Sequence, residues 1–348
     1  MTGRGATGTG NSFWLARYAA VRLALTAPML LVLLSATFLM LRVAPGDPAS
    51  ATLGDRASPA RLEQLRRTLG LDQPLWRQYV DYLGGVATGD LGRSATSGRP
   101  VRETIAERFP ATLELTLAAM AVAGAAGAPL GALAARRRGR ATDTTVRLAG
   151  TMLYAAPVFW LGLLLQQLLA VRFHLLPSGG RADPFGEPSR VTGLHTIDAV
   201  ITGDWTALGS ALSHLALPAL TLGLVVGGVI VRLVRANLVP SLGAPYVEAA
   251  RARGIPERQV VYRHALRNAL VPVVALFGLQ LALLLSGAVL TERTFTWPGI
   301  GLSLYHFLQD RDYAGVEGIV TFYAVAVALV SLVIDVVSAV VDPRIRYR

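Results

Sequence analysis

Residues 245–274 read PYVEAARARGIPERQVVYRHALRNALVPVV. The stretch joins two strongly apolar runs and carries Arg251, Arg253, Arg258, Arg263 and Arg267. From Tyr246 to Arg253 the residues favour a helix, and Gly254 is a natural left-handed stop after it. Pro256 suits the start of a second helix running from Glu257 through Asn268 toward the next apolar run. Ala249 and Ala250 offer a nearly bare face that a partner's groove can approach closely. Glu248, Arg251 and Arg253 can make charge-assisted contacts at its rim. Two readings stand side by side: a rigid helix that couples mechanically to a partner, or an amphipathic loop lying on a membrane with its arginines toward lipid phosphates.

Outward from this stretch the chain is greasy. Of 348 residues 53% are hydrophobic and 16% charged, with a mean hydropathy of +0.47, against about 25% charge in an ordinary soluble domain. A bilayer is crossed by roughly 20 mostly apolar residues, and six runs qualify, near 19–41, 111–135, 148–171, 212–234, 268–290 and 318–341. The first follows Arg17 but is too long for a signal peptide and lacks a small-residue cleavage pattern. It reads as an uncleaved span.

All 33 basic residues are arginine, and there is neither lysine nor cysteine. Without lysine there is no P-loop, Schiff-base enzyme or kinase chemistry. Without cysteine there is no disulfide, thiolate nucleophile or cysteine zinc site. The formal net charge of +11 is better explained by arginine-rich cytoplasmic loops than by nucleic acid. ARRRGRATDTTVR after the second run, the 236–267 loop and the DPRIRYR tail hold most of the bias, whereas the loops after runs three and five hold few arginines. Both termini are therefore expected inside.

The expected organisation is a disordered cytoplasmic tail (1–18), a first span (19–42), an external helical segment (43–110), a core of five spans (111–341) and a short cytoplasmic tail (342–348). In the external segment Ser58-Pro59 and Asp72/Pro74 start helices, Gly70 stops the first, and GDLGRS at 89–94 is turn chemistry. It reads as a cap on the bundle or a docking platform.

Polar residues within apolar runs are functional candidates. Gln166, Gln280, Glu292 and Asp335 are the possible pathway or gating residues. Asp335 could instead pair with Arg232 or Arg235. Glu114 and Glu292 are expected at the membrane interface. Gly124, Gly127, Gly131, Gly223, Gly227 and Gly228 allow close helix packing, and Pro129, Pro157, Pro218 and Pro272 are candidate kinks. His174, His195 and His214 lack metal-ligand spacing; neither a metal site nor a catalytic constellation is expected.

The E-A-A-x-x-x-G pattern at 248–254, with a proline downstream, resembles the cytoplasmic signature of permease subunits of binding-protein-dependent ABC importers. LRVAPGDPAS after the first span, LGLDQPLWRQYVDYL, GDLGRS, HALRNALVP, TERTFTWPGIG and the terminal DPRIRY narrow the resemblance. They point to the dipeptide/oligopeptide/nickel permease family, of the type with a long first external loop. The resemblance implies an all-α integral membrane protein with six transmembrane helices of the type I importer permease fold. It further implies a second permease subunit, two ATPase subunits that bind ATP and magnesium, and an extracytoplasmic substrate-binding protein in a bacterial cytoplasmic membrane. No cofactor is then bound by this chain. The helix around Glu248–Gly254 would dock into the ATPase, and peptide is the default cargo, with nickel chelates or a glutathione-like compound as alternatives. A membrane enzyme would need clustered acids and a secondary transporter would need coupling-ion ligands; neither is apparent.

Overall fold

The computed structural model describes residues 9–43, 58–68, 70–184 and 186–341. Helix α1 (Thr9–Val43) is followed by two short helices, α2 (Pro59–Thr68) and α3 (Leu75–Thr88), and then by the long α4 (Val101–Arg136). Helix α5 (Ala141–Ala155) leads into α6 (Val158–Leu165), which ends in a π-helical turn, Gln166–Arg172. Beyond a loop come α7 (His195–Thr202) and the 38-residue α8 (Trp205–Leu242). Helix α9 (Pro245–Ala252) precedes α10 (Glu257–Gln259), which continues through a π-helical turn, Val260–Ala265, into α11 (Leu266–Ala269). The chain closes with α12 (Val271–Gly287), α13 (Val289–Thr294), α14 (Ile300–Gln309) and α15 (Tyr313–Val341).

Among the described residues, four helices are long and apolar enough to cross a membrane: α1 within Ala20–Val43, α4, α8 and α15 within Tyr313–Val337. The two other expected crossings are bent. α5 and the α6 segment meet at 104°, and Glu257–Ala269 meets Val271–Ser286 at 51°. The run near 148–171 is therefore not one straight helix. A residue before proline is pushed out of the helical region; Ala156 is extended (φ −70°, ψ 135°) and so is Pro157 (φ −59°, ψ 125°). Pro272 stands in the first turn of α12, at the second bend. Pro129 and Pro218, equally suspect in the sequence, are carried inside continuous helices.

Other expected boundaries move as well. Residues 9–18 are helical rather than disordered, because α1 begins at Thr9. Residues 101–110, assigned to the external segment, form the first turns of α4, and 236–242 extend α8 rather than belonging to the loop. Residues 1–8, Leu69, most of LRVAPGDPAS and the 342–348 tail lie outside the described residues.

Small residues set the packing. A Cβ on Gly127 or Gly131 of α4 would strike Ile230 and Val234 of α8, and one on Gly223 would strike Val122. Gly228 of α8 leaves room only for the backbone of Gly150 on α5. Close backbone approach through small residues is how membrane helices gain contact without a hydrophobic driving force. Gly124 and Gly227 have more room than the sequence reading assumed; their nearest neighbours are Phe277 and Ala123.

Helix α3 packs on the bundle. The Tyr79 hydroxyl hydrogen-bonds Ser35 of α1 at 2.6 Å, the Tyr82 hydroxyl hydrogen-bonds Thr321 of α15 at 2.7 Å, and the Phe38 ring meets both tyrosine rings in tilted contacts, with centroids 5.3 and 5.6 Å away. Arg42 donates to Gln78 and pairs with Glu317 at 3.4 Å beside a polar cavity of about 400 Å³. Trp76, three residues before Tyr79, is 68% exposed.

The GDLGRS turn is locked to the start of α15 by Asp312, which is buried. Its carboxylate accepts Ser94 Oγ at 2.6 Å, Thr96 N at 3.2 Å and Gly315 N at 2.9 Å. Burial alone would push this carboxyl up; the Ser94 hydroxyl and the Gly315, Ala95 and Thr96 amides outweigh it and hold the pKa below the usual carboxylate value. A folded-state pKa depressed below the unfolded ~3.9 gives stability that is complete above that value and lost as pH falls through the lower, folded one. Asp312→Asn is therefore expected to lower stability at neutral pH and to flatten the acid limb below about pH 4. Thermal unfolding as a function of pH checks this, and parallel curves for variant and wild type would exclude the role.

Candidate functional site

Helix α9 stands between the ends of α8 and α10. Pro245 begins it, and Gly254 (φ +73°) ends it in the left-handed region. Nothing lies within 4 Å of a Cβ built on Gly254, so glycine is required there by conformation and not by space. Gly254 N donates to Arg251 O and Ile255 N to Ala250 O, satisfying carbonyls the helix leaves open.

The bare face is not the one expected. Ala250, 5% exposed, joins Val247 in the same buried cluster as Leu238, Val260, Val261 and Ala265. Ala249 is exposed, with Glu248 beside it and Tyr246 43% exposed one turn back. Ala250 is thus the root of the helix and Ala249 its outward surface. Arg251, expected at a partner's rim, is committed within the chain. Its Nε and Nη2 hold Glu257 at 3.1 and 2.9 Å, and its Nη1 donates to Leu242 O at 3.1 Å. One side chain ties the end of α8, α9 and the start of α10 together across Gly254. Arg253 and Glu248 are exposed on the outer side.

The two arginine-rich loops share this end of the bundle. Arg136, at the end of α4, acts on the charge of Glu257. Asp143, buried among the arginines, accepts Arg235 Nε and Nη2 at 2.6 and 2.8 Å and Gly139 N at 3.0 Å. Its place in a run of arginines was the available sequence signal for this pair.

The four polar candidates do not converge. Gln166 is half-buried on the π-helical turn, where its amide donates to Ser178 O. Asp335 pairs with Arg22 of α1 at 3.2 Å, not with Arg232 or Arg235. Gln280 lines an apolar groove of about 210 Å³ with Tyr154, Val158, Leu222, Val226 and Leu283. Glu292 is fully buried within the protein.

The surroundings of Glu292 explain the TFTWPGIG motif. Its carboxylate accepts Thr112 Oγ1 at 2.6 Å and Leu302 N at 2.8 Å, and Ile300 N donates back to Thr112 Oγ1 at 2.9 Å. A Cβ on Gly299 or Gly301 would collide with that carboxylate. Trp297, 1% exposed, donates Nε1 to Ala111 O at 2.8 Å. The loop after α13 is thereby pinned to the outer part of α4.

Glu114 is also buried within the protein. It accepts Arg181 Nε and Nη2 at 3.1 and 2.6 Å through one oxygen, and the Thr196 amide and hydroxyl, each at 2.7 Å, through the other. Arg181 gives a further bond to Gly193 O at 2.7 Å. This network joins α4 to α7 and to the loop before it. Nothing in the sequence pointed to Arg181.

The chain thus combines candidate membrane-crossing helices, one exposed helix at the arginine-rich end and pinned loops at the other. The family described as "Binding-protein-dependent transport system inner membrane component" matches residues 127–347. Its companion, "Binding-prot-dependent transport system membrane comp, N-term", matches residues 15–116. The chain belongs to this family. It is a membrane permease component of the ABC importer type, and a transport subunit rather than an enzyme. The dipeptide transport system permease protein DppB of Escherichia coli (strain K12) is 43% identical over 332 residues, covering 94% of this chain and 98% of the relative. The di/tripeptide transport system permease protein DppB of Pseudomonas aeruginosa is 41% identical over 335 residues, 95% of this chain and 99% of that one. The glutathione transport system permease protein GsiC of Escherichia coli O6:H1 is 37% identical over 331 residues, 95% and 99% respectively. The likeness of this permease to its relatives thus runs through both α2 and α3 and the long helices that follow.

Proposed function

We propose that this permease forms, with a second permease subunit, the pathway by which an ATP-driven importer carries dipeptides or oligopeptides across the cytoplasmic membrane. The observation that carries this reading is α9, an exposed helix with a small outward face at Ala249, rooted by Val247 and Ala250. Such a helix fits a groove on a partner, and we assign to Glu248–Gly254 the docking of one of two ATPase subunits. ATP and magnesium belong to those subunits, since a chain without lysine has no P-loop of its own. An extracytoplasmic binding protein delivers the cargo, and both termini lie in the cytoplasm. Closure of the ATPases shifts the permease between inward-facing and outward-facing states by differential affinity for the two. Among the polar candidates, Gln280 in its apolar groove is the one we assign to the pathway.

Relatives named for dipeptide and di/tripeptide transport favour peptide cargo. The relative named for glutathione transport supports a glutathione-like cargo as the second reading. The test is ATP-dependent uptake into proteoliposomes holding this chain with its co-encoded permease, ATPases and binding protein. Labelled dipeptides, glutathione and a nickel chelate are offered separately. Dipeptide uptake that needs every subunit is the expected result. Accumulation by this chain alone under an ion gradient, or uptake confined to a non-peptide solute, would overturn the reading.

A further inference from the structure

At the arginine-rich end, α5 and α8 enclose a cavity of about 350 Å³ lined by Arg147, Leu148 and Thr151 of α5 and Val231, Arg232 and Arg235 of α8. Three guanidinium groups share this one concavity. Among the described residues, Arg235 is the one of them with a carboxylate partner, Asp143. Asp143 is already filled by Arg235 and by Gly139 N. Arg232 rests 5.1 Å from the centre of the Tyr154 ring, a contact that orients the cation without neutralising it. Arg147 is exposed. Three arginines against one carboxylate, on which Arg147 also acts, leave an excess of positive charge at the cavity.

The cavity also has an apolar exit. Leu148 is 52% exposed and Met152 is 69% exposed. Spaced i, i+4, they lie on one face of α5 with Thr151 between them. A site for a small inorganic anion has no use for such a strip. A planar guanidinium fork matches phosphate oxygens two at a time, and basic pockets between crossing helices suit phosphorylated lipid headgroups.

We propose that this cavity holds the headgroup of an anionic phospholipid, with its phosphodiester between Arg147 and Arg232 and an acyl chain along Leu148 and Met152. Arg235, committed to Asp143, forms the back wall. Tyr154, beneath Arg232, also lines the groove that contains Gln280. The bound lipid therefore borders that groove.

The experiment is native mass spectrometry of the full chain purified with its partner subunits in mild detergent, after incubation with cardiolipin, phosphatidylglycerol or phosphatidylcholine. Wild type is expected to retain the anionic lipids over phosphatidylcholine. The double variant R147Q/R232Q, which leaves the Arg235–Asp143 pair intact, is expected to retain them about thirtyfold more weakly, at roughly fivefold per arginine near a lipid surface. Leu148→Glu, which places a charge on the acyl strip and touches no arginine, is expected to lower retention as well and serves if the double variant fails to fold. Equal retention by folded variants and wild type overturns the proposal, as does equal retention of phosphatidylcholine. Displacement of the lipid by inorganic phosphate would make this a bare anion site, and displacement by a dipeptide would make it a site for a cargo carboxylate; either result also overturns it.

Discussion

Arg181→Ala is expected to destabilise the fold by about 3–5 kcal/mol, the range for removing one partner of a buried ion pair. Both partners are out of water: Arg181 is 9% exposed and Glu114 5%. The substitution removes two bonds to Glu114 and one to Gly193 O, and it lifts a cation from beside the Trp297 ring, 5.8 Å from its centre. Thr196 still donates to the other oxygen of Glu114, which leaves a half-satisfied buried carboxylate, the costly arrangement. Removing both charges together, as in E114Q/R181M, is expected to cost less than R181A alone, because no charge is stranded. The apparent unfolding temperature of the purified chain reads both effects. A wild-type temperature for R181A would show that water reaches Glu114.

The second large effect separates neighbours at the coupling helix. Ala249→Trp is expected to leave the fold intact and to reduce ATP-driven uptake on the order of tenfold or more, as a bulky group on a close-packed docking face does. Ala250→Trp is expected to fail earlier, as loss of folded protein, because its Cβ points into the cluster of Leu238, Val260 and Ala265; overpacking of this kind costs roughly 1–3 kcal/mol or more. Gly254 divides along another line. A β-branched valine is strained at φ +73°, by roughly 1–3 kcal/mol, whereas asparagine tolerates that region. Gly254→Val should then lose most uptake and Gly254→Asn keep most of it. Membrane yield and uptake, measured in parallel for all four, check the ordering. Equal yields for the two alanine variants would contradict the burial of Ala250.

That pair also marks what could be read in advance. Adjacent residues on a helix are about 100° apart and do not share a face, so Ala249 and Ala250 could not both have faced outward. The helix, its glycine stop and the following proline were legible because each depends on local backbone preference. The choice of outward alanine depended on Val260 and Ala265, which only tertiary packing brings near. The crossings were legible for the same local reason, since an apolar run long enough to span announces itself. Their bends were not: Pro157 and Pro218 look alike in the sequence, yet one breaks its helix and the other is carried through. Glu114 and Arg181 stand 67 positions apart, and no periodicity links them. The signal available was a carboxylate in an apolar run, which must find a partner somewhere. Glu292 carried the same signal, and its donors come from Thr112 of α4 and from the Leu302 amide in the first turn of α14.

Helix α8 has a geometric corollary. Its 38 residues run without a break, and at 1.5 Å per residue they form a rod of about 57 Å, nearly twice the roughly 30 Å of a bilayer's hydrocarbon. One end is fastened to α9 through Leu242 O and Arg251; the other reaches α7 and the loops of the opposite face. A tilt of about 5° at the fastened end displaces the far end by about 5 Å, close to one helical pitch. Opposite faces of the membrane are thus joined by a lever that needs no relay of side chains between them.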